Sequence, residues 1–216
     1  MSIERIKIFS GNANPNLSSE IIDNLEITQS KALVSQFSDG ESQVEILDNV
    51  RGCDVFVIQP TCGPSPAETL IELLVMVDAL RRSSADRITA VVPYLGYSRQ
   101  DRRSRLTRVP ITAKLVAKMI ETSGVDRILT MDLHADQIQG FFNIPVDELT
   151  ASSILANKLK SIMKDKDDAV VVATDLGGAK IAREIAKILN TSIAIVDKAR
   201  NDNSETVRSH NLIGDV

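Results

Sequence analysis

Apolar positions along the chain switch repeatedly between two spacings. In "RIKIFSG" (5–11) apolar and polar residues alternate and stop at Gly11, the pattern of a short strand. After Pro15, residues Leu17, Ile21, Ile22 and Leu25 recur at helical intervals. "ALVSQF" and "SQVEIL" alternate on either side of "SDGE", and Asp-Gly between two such runs predicts a hairpin. "CDVFVIQP" (53–60) is a continuous apolar run, the kind a strand buried on both faces carries. Leu70, Leu73, Leu74, Val77 and Leu80 then mark one face of a helix, and "RITAVVPY" predicts the next strand. "VPITAKLVAKMIETSG" reads as a helix closed by Gly124, "DRILTMD" as a buried strand, and "PVDEL" (145–149) as a short one.

Near residue 150 the pattern restarts. "ASSILANKLKSIMKD" predicts a helix, "DAVVVATD" a strand, "LGGAKIAREIAKILN" a helix and "TSIAIVDK" a strand. "ARNDNSETVRS" (199–209) is polar and glycine-free and reads as mobile; "HNLIGDV" opens a further strand. Alternating apolar strands and amphipathic helices define an α/β class with mostly parallel sheets and helices on both faces. The restart divides the chain into a domain over 1–150 and a second over 151–216.

Composition narrows the setting. The 216 residues are 43% hydrophobic and 25% charged, enough for a packed core in an ordinary globular protein. No run approaches the ~20 apolar residues needed to span a bilayer, and the start "MSIERIKIFSG" lacks a secretory pattern. Cys53 and Cys62, the only cysteines, offer neither a zinc site nor a disulfide framework. These features predict a cytoplasmic protein with no membrane partner. A formal net charge of -4 argues against a general nucleic-acid binder.

Positive charge is instead local. Arg99, Arg102, Arg103, Arg105 and Arg108 fall within ten residues, directly after a predicted strand, with Asp101 the one acid among them. Arginine forks grip phosphate oxygens in pairs, so the loop suits a polyanion; a solvated loop pairing with acids across an interface suits it too. Three further clusters follow strands: His134 in "MDLHAD", Asp175 in "ATDLGGAK", and Lys198 with Arg200 in "DKAR". His134 beside acids fits a metal or phosphate contact as well as a structural role. Asp175 before Gly-Gly fits a hard cation or a plain strand-to-helix turn. Lys198 and Arg200 fit a charge-stabilising lid or two idle surface cations. Ligands of open α/β sheets bind outside the strands' carboxyl ends, so the conjunction favours a metal–polyphosphate site.

The ordered stretches "FSDGE", "NVRG", "VMVDALRRSSADRITAVVPYLGYSRQDRR", "VPITAKLV", "MDLHADQIQGFFNIPVDEL", "TDLGGAK" and "LIGDV" resemble the ribose-phosphate pyrophosphokinases, or PRPP synthetases, over nearly the whole chain. The resemblance implies two type I phosphoribosyltransferase-like units, the second cut short. It also implies transfer of a diphosphoryl group from MgATP to C1 of ribose 5-phosphate, giving PRPP and AMP. On the family pattern, adenine stacks on Phe37 while Asp39 and Glu41 contact the base, all three lent by a neighbouring subunit of a homo-oligomer, a hexamer in the family. Arg99, Gln100 and Asp101 belong to the ATP site, and His134 and Asp175 hold Mg2+. Lys198, Arg200 and His134 carry catalysis, and Arg51, Arg105 and Gln137 belong to a regulatory anion site.

Departures also show. The family continues past "IGDV" into an acidic, glycine-rich loop that cradles ribose 5-phosphate, and the chain ends at Val216 without it. The resemblance therefore implies that activity needs that C-terminal part. "ATD" stands where the family has Ser-Pro-Asp, Ala199 replaces a common second basic residue, and "PSPAETLIEL" lacks the usual asparagines. Three readings stay open: a diphosphotransferase, a non-catalytic regulatory or scaffolding relative, and a phosphoribosyltransferase. The last is disfavoured because the PRPP loop is what the sequence lacks.

Overall fold

A computed structural model describes residues 5–163, 169–200 and 207–214, with 197–200 and 207–210 described in backbone alone. The chain divides into two compact units, Met1–Leu149 and Thr150–Val216.

In the first unit, β1 (Ile6–Ser10) leads into α1 (Pro15–Asn24). Pro15 sits where a missing N–H costs nothing, and the Asn14 side chain caps the helix by accepting from the Leu17 N–H at 3.1 Å. The strands β2 (Ala32–Gln36) and β3 (Ser42–Ile46) form an antiparallel hairpin that is a sheet of its own. Then come β4 (Asp54–Ile58), α2 (Pro66–Arg82), β5 (Arg87–Val92), α3 (Thr112–Ser123), β6 (Arg127–Met131), a 3-10 helix (Asp136–Phe141) and β7 (Val146–Leu149). Strands β1, β4, β5, β6 and β7 lie side by side in that order, every pair parallel.

Alternation in β4 shows how the sheet is covered. Val55 and Val57 join the main core with Leu70, Leu73, Met76, Val77 and Leu80 of α2 and Val116, Ala117 and Ile120 of α3. Phe56 and Ile58 turn to the other face, against Ile8 and Ile22 of β1 and α1. Leu73, Met76, Val77 and Leu80 are fully buried, each worth about 1.5–3 kcal/mol relative to exposure. The hairpin lays Ala32, Val34, Val44 and Ile46 on the same core. α3 closes on Gly124 at φ 110, as its sequence predicts.

Charged pairs mark strand starts. Asp54, 4% exposed, receives both Nε (2.9 Å) and an amino group of Arg87 from the neighbouring strand. The hydrogen bond it donates to Asp54 raises the Arg87 guanidinium above its ordinary range. Any stability from that shift is present below the usual arginine pKa and lost only as pH rises through the raised value, so the pair is constant at neutral pH. Arg127 bridges to Asp147 at 2.6 Å across β6 and β7.

The second unit contains α4 (Ser152–Ile162), β8 (Val170–Ala173), α5 (Ala179–Leu189), β9 (Ser192–Arg200) and β10 (Val207–Ile213). β9 is central, parallel to β8 and antiparallel to β10. A small core gathers Ala156, Ile185 and Leu189. Two expectations are corrected. Residues 199 and 200 extend β9, and 207–209 belong to β10, rather than to a mobile stretch; 201–206 lie outside the described residues. Ladder pairing satisfies main-chain groups whatever the polarity of the side chains, so a polar run is no bar to a strand. The second helix also starts at Ala179, leaving Leu176–Gly178 in the preceding turn.

Candidate functional site

Two loops at the carboxyl ends of β4 and β5 are stitched together. Thr61 N donates to the Tyr94 carbonyl at 3.0 Å, and Gly96 N donates to Thr61 Oγ1 at 2.8 Å. A Cβ on Gly96 would lie 2.0 Å from the Thr61 carbonyl oxygen, so only glycine permits this approach. The next residue, Tyr97, is held at φ 61, a left-handed conformation uncommon outside glycine. Between the loops opens a cavity of about 430 Å³, lined by Thr61, Cys62, Tyr94, Tyr97, Arg99 and Gln100 among others. The Gln100 side-chain oxygen accepts from Thr112 Oγ1, and its carbonyl accepts from Ala113 N at 3.2 Å, tying the loop to the start of α3.

The five arginines are therefore not equivalent. Arg99 lines the cavity; Arg102, Arg103, Arg105 and Arg108 are exposed beyond it. Among the described residues none of the five enters an ion pair. Asp101 accepts from Gln137 Nε2 at 2.8 Å, linking the arginine loop to the 3-10 helix. Arg51 is exposed in the turn before β4, where its N–H bonds Asn49 Oδ1 at 3.1 Å.

The His134 loop is built similarly. Asp132 leaves β6 at φ 45, and its N–H bonds the Leu149 carbonyl at 2.9 Å. The Glu148 carboxylate of β7 then grips both sides of His134, accepting from Leu133 N at 3.0 Å and from Gln139 Nε2 at 2.6 Å. His134 itself is exposed. Non-glycine residues in strained backbone are found at functional sites; Tyr97 lies in the loop after β5 and Asp132 directly after β6, while Glu26, Ser84 and Asn190 take positive φ elsewhere.

Phe37, Asp39 and Glu41 occupy the hairpin tip. Phe37 N donates to the Glu41 carbonyl at 2.8 Å, Gly40 N to the Phe37 carbonyl at 2.9 Å, and Glu41 N to Asp39 Oδ1 at 3.1 Å. Phe37 is 50% exposed as a residue, an aromatic presented outward rather than packed in its own core.

In the second unit Asp175 is exposed beyond β8, its Oδ1 accepting from Gly178 N at 2.9 Å. Lys198 and Arg200 lie on β9, but their side chains are outside the described residues. Among the described residues no group of three or more His, Cys, Asp or Glu converges as a metal cage. Magnesium in phosphoryl-transfer sites commonly takes one or two carboxylates plus substrate phosphates. An exposed carboxylate with one oxygen left over, as at Asp175, fits that pattern.

Residues 6–124 match the family model for the N-terminal domain of ribose phosphate pyrophosphokinase. Over 216 residues the chain is 54% identical to a ribose-phosphate pyrophosphokinase of Ralstonia nicotianae, covering 100% of this chain and 67% of that protein. The chain belongs to the ribose-phosphate pyrophosphokinase family. A ribose-phosphate pyrophosphokinase of Neisseria meningitidis serogroup A is 52% identical over 213 residues, which cover 99% of this chain and 64% of the relative. The crystal structure of phosphoribosylpyrophosphate synthetase from Mycobacterium smegmatis superposes with a TM-score of 0.86 at 39% identity, over 98% of this chain and 68% of that one. The chain thus spans about two thirds of the length of these pyrophosphokinases. The α/β architecture with a mostly parallel sheet is the family's own. Among the described residues no helix is long and apolar enough to cross a membrane.

Sequence reasoning passed over Thr61, Gln59, Glu72 and Glu148, which bind no ligand in the family reading but shape the loops that would. Glu72 left a signal, an acid inside the apolar run "LIELLVMV" on the buried side of α2.

Proposed function

We propose that this chain is the nucleotide-binding portion of a ribose-phosphate diphosphokinase, acting on MgATP and ribose 5-phosphate. The observation that carries the reading is identity of 54% along the full 216 residues to a ribose-phosphate pyrophosphokinase. The Arg99–Gln100 cavity at the carboxyl ends of β4 and β5 supports it, since that end of a parallel sheet is where ligands of open α/β folds bind.

In the reaction, the C1 hydroxyl oxygen of ribose 5-phosphate attacks the β-phosphorus of ATP. The bond from that phosphorus to the oxygen bridging the α-phosphate breaks, AMP leaves with the electron pair, and the hydroxyl proton is lost. Catalysis of such a transfer is positioning and neutralisation of oxygen charge. Phe37 stacks on adenine while Asp39 and Glu41 read its edge, donated by a neighbouring protomer of a homo-oligomer. Arg99, Gln100 and Asp101 hold the nucleotide. His134 and Asp175 are the residues assigned to Mg2+, which when bound screens the phosphate charge. Lys198 and Arg200 stabilise the transferring group, and Arg51, Arg105 and Gln137 receive a regulatory anion. The setting is the cytoplasm.

The test is a chimera in which this chain is continued by the C-terminal third of the Ralstonia nicotianae relative. With MgATP and ribose 5-phosphate it should release AMP and PRPP in equal amounts. AMP without PRPP, or neither product from a folded chimera, overturns the proposal.

A further inference from the structure

Of the buried carboxylates, Asp54 is paired with Arg87, while Glu72 has no cationic partner among the described residues and no part in the proposed chemistry. Glu72 of α2 is 8% exposed, yet every described partner it has is a donor outside its own helix. Its Oε1 accepts from Asn12 N at 2.7 Å and from Gln59 Nε2 at 2.7 Å, and its Oε2 accepts from Asn12 Nδ2 at 2.9 Å. Gln59 is fully buried; its own oxygen accepts from Ala13 N at 3.1 Å. The loop after β1 packs so close that a Cβ on Gly11 would lie 2.2 Å from Gln59 Oε1 and 2.8 Å from Glu72 Oε1. Burying a carboxylate is costly unless it is fully hydrogen-bonded, and here it is bonded in order to hold Asn12.

Asn12 passes the constraint on. Its Nδ2 also donates, at 3.2 Å, to the carbonyl of Val34 in β2. Among the described residues this is the one hydrogen bond joining either hairpin strand to the rest of the unit. The strands' remaining attachment is apolar, through Ala32, Val34, Val44 and Ile46, while ahead of β2 Ser30 N pins the hairpin's base to the Ile8 carbonyl at 2.8 Å. Apolar burial is non-directional and leaves the tilt of a two-stranded hairpin loosely set. A hydrogen bond is directional.

We infer that Glu72 is a positioning residue for the hairpin: through Asn12 it fixes the angle at which β2 and β3 present Phe37, Asp39 and Glu41. The inference rests on the reading that those three residues contact nucleotide. The chemistry explains why a carboxylate is needed. Oε1 faces two donors, so in Glu72→Gln the new NH2 must take the Oε2 position, opposite Asn12 Nδ2. To avoid two opposed donors the Asn12 amide turns over, which aims its oxygen at the Val34 carbonyl and breaks the link. An isosteric change thus frees the hairpin while leaving the packing of α2 in place.

The test uses the 216-residue chain and two readouts. In Glu72→Gln, amide hydrogen exchange of β2 and β3 should quicken roughly two- to tenfold, the scale of one lost hydrogen bond, while β4 and β5 amides keep their rates. Binding of MgATP should weaken by a similar factor. Asn12→Ala, a change at an exposed residue, should reproduce the hairpin-limited effect if Glu72→Gln fails to fold. Unchanged hairpin exchange in a folded variant overturns the inference. So does quickening spread evenly over the sheet, which would mark Glu72 as a plain stability residue. A wild-type chain that binds no MgATP counts against the functional reading, and the exchange result still decides the role of Glu72.

Discussion

Arg99 and Arg108 carry the same guanidinium nine positions apart in one loop, and their surroundings separate them. Arg99 follows Gly96 and the left-handed Tyr97, and that backbone path brings it to the wall of the cavity closed by Thr61. Arg108 is exposed and does not line that cavity. A charge-assisted hydrogen bond is worth about 1.5–3 kcal/mol, so Arg99→Ala should weaken MgATP binding by roughly tenfold or more. Arg108→Ala should leave it within about twofold. Isothermal titration of the two variants checks this, and equal losses would mean the loop acts only through summed charge. The sequence made the arginine cluster visible but could not rank its members. Rank depends on the Thr61–Gly96 contact, which joins residues 35 positions apart. The same holds for Glu148, legible only as one of the two acids of "PVDEL" until β7 lies beside β6 and sets its carboxylate against Leu133.

Elements were more legible than sites, because the period of apolar residues is a local property of the chain. The helices over Pro66–Arg82 and Thr112–Ser123 follow from spacing, and the second ends where Gly124 allows it. At φ 110 that residue is outside the range L side chains adopt readily, while an added Cβ would meet the Arg81 side chain only at ordinary contact distance, 3.4 Å. Gly124→Ala should therefore destabilise the chain by about 1–2 kcal/mol, the cost of a left-handed non-glycine residue. A lowered urea midpoint at unchanged slope is the expected result; an unchanged midpoint would mean α3 ends as well without its glycine. Where element prediction failed, at 199–200 and 207–209, the deciding force was non-local. β9 and β10 pair with each other, and no apolar period in "ARNDNSETVRS" announces a ladder.

At the scale of the molecule, the two units are unequal in what they bury. The unit Met1–Leu149 closes a core running from Phe9 through Leu73, Ile88, Ile120 and Ile128 to Phe142, with helices on both faces of its sheet. A chain of that size removes about 68–70% of its unfolded surface from water, against about 60% for one near 60 residues. Among the described residues of Thr150–Val216 the core cluster is Ala156, Ile185 and Leu189, with Leu159, Met163, Val171 and Ile188 half-buried against it, and Ile154, Ile162, Leu176 and Ile213 are each more than half exposed. Entropy per ordered residue is the same in both units, so the balance of burial against disorder should favour only the larger. A fragment of residues 1–149 should unfold in urea as a single cooperative transition, with protected amides in β4, β5 and β6. A fragment of residues 150–216 should show no protected amides under the same conditions. Protection in the small fragment alone would mean that its three-stranded sheet is stabilised by something other than apolar burial. Loss of cooperativity in the large one would mean that the parallel sheet depends on residues beyond Leu149 that its own core does not reveal.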